Sequence, residues 1–209
     1  VNAPLPPLRF SHLAGLVHDS SSRHAERTAF TTCMPNGMHG SLSYREVDRL
    51  SDAFAAWLRD VLGLEPGARV ALQTPNCLAY PVVAFGVFKA GCVLVNTNPL
   101  YTPAEMEHQL RDSGAEVLVI ADMFAGKLEG ILEKTSLRKV VVAEVTQFFS
   151  PVPRAVIRTV MKVWNRILPP ITIPHVRLTD ALTQGEAAAR SKAGALATYV
   201  QGQGLDTLA

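Results

Sequence analysis

VALQTPNCLAYPVVAFGVFKAGCVLVNTNPLYTPAEMEHQLRDSGAEVLVIA, from Val70 to Ala121, is the stretch whose reading decides the fold. Three short apolar runs, Arg69 to Thr74, Cys92 to Asn96 and Glu116 to Ala121, alternate with two helical segments. Each run is continuously apolar, as parallel strands buried on both faces require. The stretch therefore predicts a βαβαβ unit.

The second of its helices carries every boundary signal. Thr102, Pro103 and Glu105 spell a capping box with proline at the first helical position, and Tyr101 and Met106 stand where a hydrophobic staple belongs. Gly114 follows the last apolar position, so a helix is predicted from Pro103 to Ser113. The first helix has Asn76 as its candidate N-cap and Gly91 as its terminator.

Leu78 to Val95 is eighteen residues with one charge, Lys89, which is near the length of a membrane span. Gly86 and Gly91 interrupt it, and the β-branched run after Gly91 favours a buried helix followed by a buried strand.

On the amino-terminal side, Ser11 to His24 predicts a short helix. Thr28 to Met34 and Gly40 to Tyr44 flank an Asn36-Gly37 turn, the signal of a β-hairpin. Ser43 and Glu46 form a second capping box. Val47, Leu50, Phe54, Leu58, Val61 and Leu62 then follow at helical spacing, until Leu64-Glu65-Pro66-Gly67 stops the pattern. On the carboxyl side, Phe124 to Thr135 predicts a third helix of the alternation and Arg138 to Glu144 a fourth strand.

A composition shift comes next. No acidic residue occurs from Val145 to Thr179, a segment holding Arg154, Arg158, Lys162, Arg166 and Arg177. On a helix the first four share one face, while Val156, Ile157, Val160, Met161, Val163, Trp164, Ile167 and Leu168 occupy the other. Prolines at 151 and 153 open this helix and Pro169 and Pro170 close it. A basic face opposite an apolar face with Trp is the pattern of a helix lying on an anionic membrane surface. On that reading Arg154, Arg158, Lys162, Trp164 and Arg166 are the membrane-surface residues. The plainer reading is a surface helix packed on the α/β core or on a partner subunit. The fold class that emerges is α/β: a mainly parallel sheet of βαβ units flanked by helices, with an N-terminal β-hairpin and a basic amphipathic helix.

Composition bounds function. With 209 residues and 48% hydrophobic content the chain can bury a sizeable core, and a net charge of +2 without aromatics interleaved among basic clusters argues against nucleic acid as a partner. Cys33, Cys77 and Cys92 form no C-x-x-C pair and point to a reducing, cytoplasmic setting. VNAPLPPLRF lacks the charged and apolar regions of an export signal. Its first residue is Val rather than Met, which leaves a fragment or an unusual start open.

Ligands of open α/β sheets sit outside the carboxyl ends of the strands, here Thr74 to Cys77, Asn96 to Tyr101, Asp122 and Glu144. Asn76, Asn96 and Asn98 could orient a ligand, although turn asparagines more often satisfy local backbone. Neither G-x-G-x-x-G nor G-x-x-x-x-G-K-[ST] can be written, so no phosphate-cradling loop is read. Cys77, at a helix N-terminus, is a candidate low-pKa nucleophile without an identifiable base. His108 with Glu105 and Asp112 could present a ligand pair, but a solvated polar face explains them better. No metal, cofactor-binding or catalytic residue is therefore assigned.

Two stretches, Leu42 to Asn76 (LSYREVDRLSDAFAAWLRDVLGLEPGARVALQTPN) and Phe85 to Val119 (FGVFKAGCVLVNTNPLYTPAEMEHQLRDSGAEVLV), resemble the N-terminal part of the AMP-forming acyl-CoA synthetase family. The likeness is to its bacterial long-chain fatty-acid CoA ligase branch. Leu42 to Val47 matches an L-[ST]-Y-x-E-[LV] motif, and Lys89 to Gly91 a K-A-G motif. The resemblance implies a two-step reaction in which a fatty acid attacks ATP to give an acyl-adenylate and pyrophosphate. CoA thiol then displaces AMP. ATP, Mg²⁺ and CoA are the implied cofactors and substrates of the complete enzyme, and a homo-oligomer is left open. The family's phosphate loop, its nucleotide-binding segments and its lid lysine all lie beyond Ala209, so no catalytic residue carries over. Residues 1–184 are then expected to be an N-terminal subdomain with an amphipathic insert near 150–170, and 185–209 a linker toward the phosphate loop. The chain is expected to be inactive alone; the other reading is a stand-alone binding module that associates with a membrane or a full-length ligase.

Overall fold

The computed structural model describes residues 9–164, 168, 170–192 and 195–200. Helix α1 (Leu13–Arg23) leads into strands β1 (Thr28–Cys33) and β2 (His39–Ser43), then α2 (Tyr44–Ala56), which continues as a π-helical turn over Trp57–Val61. Next come β3 (Arg69–Gln73), α3 (Ala79–Lys89), β4 (Val93–Asn96), α4 (Pro103–Ser113) and β5 (Val117–Ala121). The chain then runs through β6 (Lys139–Ala143), α5 (Pro151–Thr159), β7 (Val176–Arg177), α6 (Leu178–Ser191) and α7 (Ala195–Tyr199).

Local chemistry fixes the two best-marked helices. Both capping boxes close: Ser43 and Glu46 begin α2, while Thr102 and Glu105 begin α4 with Pro103 at the start. Gly114 ends α4 at φ 62°, a conformation that costs any residue with a Cβ. Asn36 and Gly37 make the hairpin turn, with Gly37 at φ 81° and Asn36 Oδ1 accepting from the Met38 N–H.

Strands β3 to β7 form a parallel sheet in the order β4-β3-β5-β6-β7, while β1 and β2 pair separately and antiparallel. The chain winds one way from β3 to β4 and then crosses back to β5. Right-handed crossovers therefore put α3 and α4 on opposite faces. Side-chain alternation builds one core on each face. Val70, Leu72, Val117, Val119 and Val141 meet Phe54, Leu58, Val83 and Leu182 of α2, its extension, α3 and α6. Ala71, Leu118, Ile120, Val140 and Val142 meet Met106 and Leu110 of α4 on the other face.

The K-A-G segment has a physical reason for each residue. Lys89 is 6% exposed, and its ammonium donates to Asp48 O at 3.1 Å, Asp48 Oδ1 at 2.5 Å and Asp52 Oδ1 at 2.6 Å, tying α3 to α2. Ala90 is fully buried. Gly91 turns the chain into β4 at φ 70°.

Three sequence expectations need correction. Asn76 does not cap α3: the N-cap is Leu78, with no side-chain cap. Phe124 to Thr135 is not one helix but two 3₁₀ segments, Asp122–Leu128 and Leu132–Lys134, separated by Gly130 at φ 79°. Gly126 and Gly130 weaken an α-helix there, and Ala125, Leu128 and Ile131 still reach the core. The expected linker from 185 opens inside α6, where Gly185 is buried against α2; residues 193–194 and 201–209 lie outside the described residues. Among the described residues no helix is long and apolar enough to cross a membrane; Leu78 to Val95 divides into α3 and β4, with Val93 opening the strand.

Candidate functional site at the carboxyl ends of the strands

The winding of the sheet reverses between β3 and β5, which makes their carboxyl ends the switch point where such sheets bind ligands. Polar side chains collect along this rim. Gln73 ends β3, Thr74 follows it, Thr97 follows β4, Asp122 follows β5, and Thr146 and Gln147 follow β6; all are buried. Gln73 Nε2 donates to Asn98 O at 3.0 Å, while Gln73 Oε1 and the hydroxyls of Thr74, Thr97 and Thr146 have no partner among the described residues. Buried polar atoms without partners are uncommon in folded chains, so this rim is where a further group would be satisfied.

A second cluster closes the rim beside β6. Arg154 of α5 donates to Glu144 Oε2 from Nε at 3.0 Å and from Nη2 at 2.5 Å. Arg158 donates to Asp122 Oδ2 at 2.8 Å and approaches Glu144 Oε2 at 3.3 Å. Asp122, Glu144 and Arg158, with Gln147, His175 and Arg177, border a cleft of about 340 Å³. Burial pushes the Asp122 carboxyl above its ordinary value, and the Arg158 guanidinium pulls the other way. Arg158→Gln is accordingly expected to raise the Asp122 pKa further, read by carbon-detected NMR titration; an unmoved midpoint would contradict the pairing.

This corrects the picture of a wholly outward basic face. Arg154 and Arg158 turn inward to carboxylates, whereas Lys162 and Trp164 are exposed; Arg166 lies outside the described residues. The sequence did not reveal the pairing: Glu144 is 10 residues from Arg154 and Asp122 is 36 from Arg158 along the chain.

The other candidates are placed as follows. Asn98 Oδ1 accepts from the Leu100 N–H at 2.9 Å, a local turn contact, and Asn96 Oδ1 accepts from Tyr80 Oη at 2.9 Å. Asn76 borders a cleft of about 440 Å³ with Cys33, Cys77 and Tyr80. Cys77 is 6% exposed, and burial pushes its thiol up despite smaller opposing contributions from the Ala79 and Tyr80 N–H groups. That overturns the activated-thiol reading: desolvation outweighs the helix terminus. Among the described residues no three His, Cys, Asp or Glu side chains gather into a metal-sized group. Gln73, Thr146 and Gln147 were missed in the sequence. A lone glutamine closing an apolar strand was the available signal.

Three of the cations at the rim are already engaged by groups of this chain. Arg154 and Arg158 are committed to carboxylates, and Lys127 donates to Pro99 O at 3.2 Å and Tyr101 O at 2.8 Å.

Residues 17–177 match the model of the family described as AMP-binding enzyme. The chain belongs to that family. It is 39% identical over 186 residues to a long-chain-fatty-acid–CoA ligase of Salmonella typhimurium, covering 88% of this chain and 32% of the relative. The corresponding ligase of Yersinia pestis is 40% identical over 174 residues, 83% of this chain and 30% of the relative. A solved long-chain-fatty-acid-CoA ligase from Archaeoglobus fulgidus superposes with a TM-score of 0.57 at 25% identity, covering 68% of this chain and 29% of that one. The anthranilate CoA ligase AuaEII superposes at 0.63 over 86% of this chain and 29% of its own, and at 21% identity it speaks for the fold alone. The chain thus spans about a third of the length of the curated relatives it matches.

Proposed function

We propose that this family chain is the N-terminal portion of a long-chain fatty-acid–CoA ligase, and that it serves as a scaffold without activity of its own. The observation that carries the reading is the 39% identity over 88% of the chain to a ligase three times as long. In the complete reaction the fatty-acid carboxylate attacks the α-phosphorus of ATP, expelling pyrophosphate. The thiol of CoA then attacks the acyl carbon and releases AMP, with Mg²⁺ offsetting phosphate charge. The part of these residues is to supply the sheet, its buried rim and the salt-bridged closure by α5. Inactivity of the chain alone is supported by the partners that three of the rim cations, Arg154, Arg158 and Lys127, already have.

The purified 209-residue chain is expected to show no fatty-acid-dependent exchange between ATP and pyrophosphate. A longer polypeptide that joins these residues to the remaining ligase segments is expected to exchange and to form long-chain acyl-CoA. Exchange by the short chain would place the chemistry within it. Failure of the longer one with fatty acids, alongside turnover of another carboxylic acid, would reassign the substrate.

A further inference from the structure

Arg177 closes β7 and is also the N-cap of α6, so one residue brings a cation and a helix N-terminus to the same end of the sheet. Its register partner on β6 is Val142, and both border the cleft of about 340 Å³ beside that strand. No side chain caps α6, and Thr179 of its first turn lines the cleft. The first N–H groups of a helix without such a cap attract negative charge.

A second observation comes from the loop after β6. Gln147 is 9% exposed and lines the same cleft, yet its carboxamide has no hydrogen-bond partner among the described residues. Buried amides are seldom left idle. The Arg177 guanidinium is likewise without an ion pair or hydrogen bond among the described residues. His175 is partly engaged, its Nδ1 donating to Ile173 O at 2.8 Å.

Charge sets the valence of the ligand. Arg154 and Arg158 balance Glu144 and Asp122, two cations against two carboxylates, and Arg177 remains. Asp180 of α6 is exposed, accepts from the Thr179 hydroxyl at 3.3 Å and does not line the cleft. One negative charge matches the surplus, whereas a dianion would add a repelled charge beside carboxylates whose cations are already shared out. Size narrows the class further. At roughly 30 Å³ of liquid per water the cleft has room for about eleven waters, which suits a short organic acid and not a long acyl chain. Val142 and Ile171 give it an apolar wall.

We propose that this cleft binds a short organic carboxylate. The Arg177 guanidinium, the Gln147 amide and the N-terminus of α6 hold the charged head, and Val142 and Ile171 take the carbon chain. The inference rests on the cleft and not on the ligase reading, so failure of ATP exchange by a longer polypeptide would leave it standing.

Butyrate is the probe. Titrated at millimolar concentration into the isotope-labelled 209-residue chain, it is expected to shift the NMR signals of the Gln147 side-chain amide and the Thr179 backbone amide saturably. Arg177→Gln, at an exposed site, is expected to weaken binding at least tenfold while circular dichroism stays unchanged. Gln147→Leu keeps the bulk without the amide and is expected to weaken binding severalfold; should it disturb folding, Arg177→Gln decides. Butyramide, alike in shape but uncharged, should shift neither amide, and inorganic phosphate as its dianion should bind more weakly than butyrate. The absence of a saturable shift with butyrate would overturn the proposal. So would butyrate binding that Arg177→Gln leaves unchanged, an equal response to butyramide, or tighter binding of phosphate, the mark of a site for phosphate esters.

Discussion

Gly185→Ala is expected to destabilise the chain by about 3 kcal/mol or more, the upper end of overpacking effects. A Cβ at this position would stand 1.8 Å from the carbonyl oxygen of Ala53, 2.8 Å from its carbon and 3.1 Å from Trp57 Cβ. The obstacle is backbone of α2, itself buried through Ala53, Phe54 and Trp57, so no rotamer change relieves it. Helix α6 would have to move off α2, taking with it the hydrogen bond from Trp57 Nε1 to Gln184 Oε1 at 3.1 Å and the Arg49–Glu186 pair. Urea unfolding measures the loss. Gly63→Ala is the control: Gly63 has φ 65° and nothing within 4 Å of an added Cβ, so only left-handed strain of about 1–2 kcal/mol applies there. Equal losses for the two variants would show that α6 is not seated as described.

Lys89→Met is expected to cost about 3–5 kcal/mol, as breaking a buried ion pair from one side does. All three ammonium hydrogens are used, on Asp48 O, Asp48 Oδ1 and Asp52 Oδ1. Removing the cation leaves two carboxylates on α2 facing an apolar side chain. Adding Asp48→Asn and Asp52→Asn is expected to recover part of the loss, because the penalty lies in the unpaired charges. The sign of the pH dependence follows from Asp52. Burial already pushes its carboxyl above the ordinary value while Lys89 opposes the shift, so Lys89→Met raises it further. The folded state then binds the proton more tightly than the unfolded chain does. Stability of the variant is therefore regained as pH falls through the folded pKa and lost as pH rises through it. Denaturant titrations across the acid range should show the variant converging on the parent at low pH.

What the sequence revealed and what it hid divide along contact distance. Thr102 with Glu105 and Ser43 with Glu46 are three residues apart, and both boxes are found where they were read. Strands β3, β4 and β5 were legible because burial on both faces leaves an unbroken apolar run. The fate of Arg154 and Arg158 was hidden, since helical spacing says which residues share a face but not which way that face turns. Their partners come from the ends of β5 and β6. Gly185 read as linker composition for the same reason: its close neighbour, Ala53, is far away in the chain. The orphaned hydroxyls of Thr74, Thr97 and Thr146 become a group only when parallel strands align their ends.

The parallel sheet ends on a four-residue strand, β4, and a two-residue strand, β7, each hydrogen-bonded to a single neighbour among the described residues. A margin that brief gives a foreign polypeptide too few amides and carbonyls to zip onto. The central five-residue strands, all Val, Leu, Ile and Ala in the case of β5, are enclosed on either side. Such proportions protect the molecule against strand-by-strand polymerisation while its most adhesive segments stay out of reach.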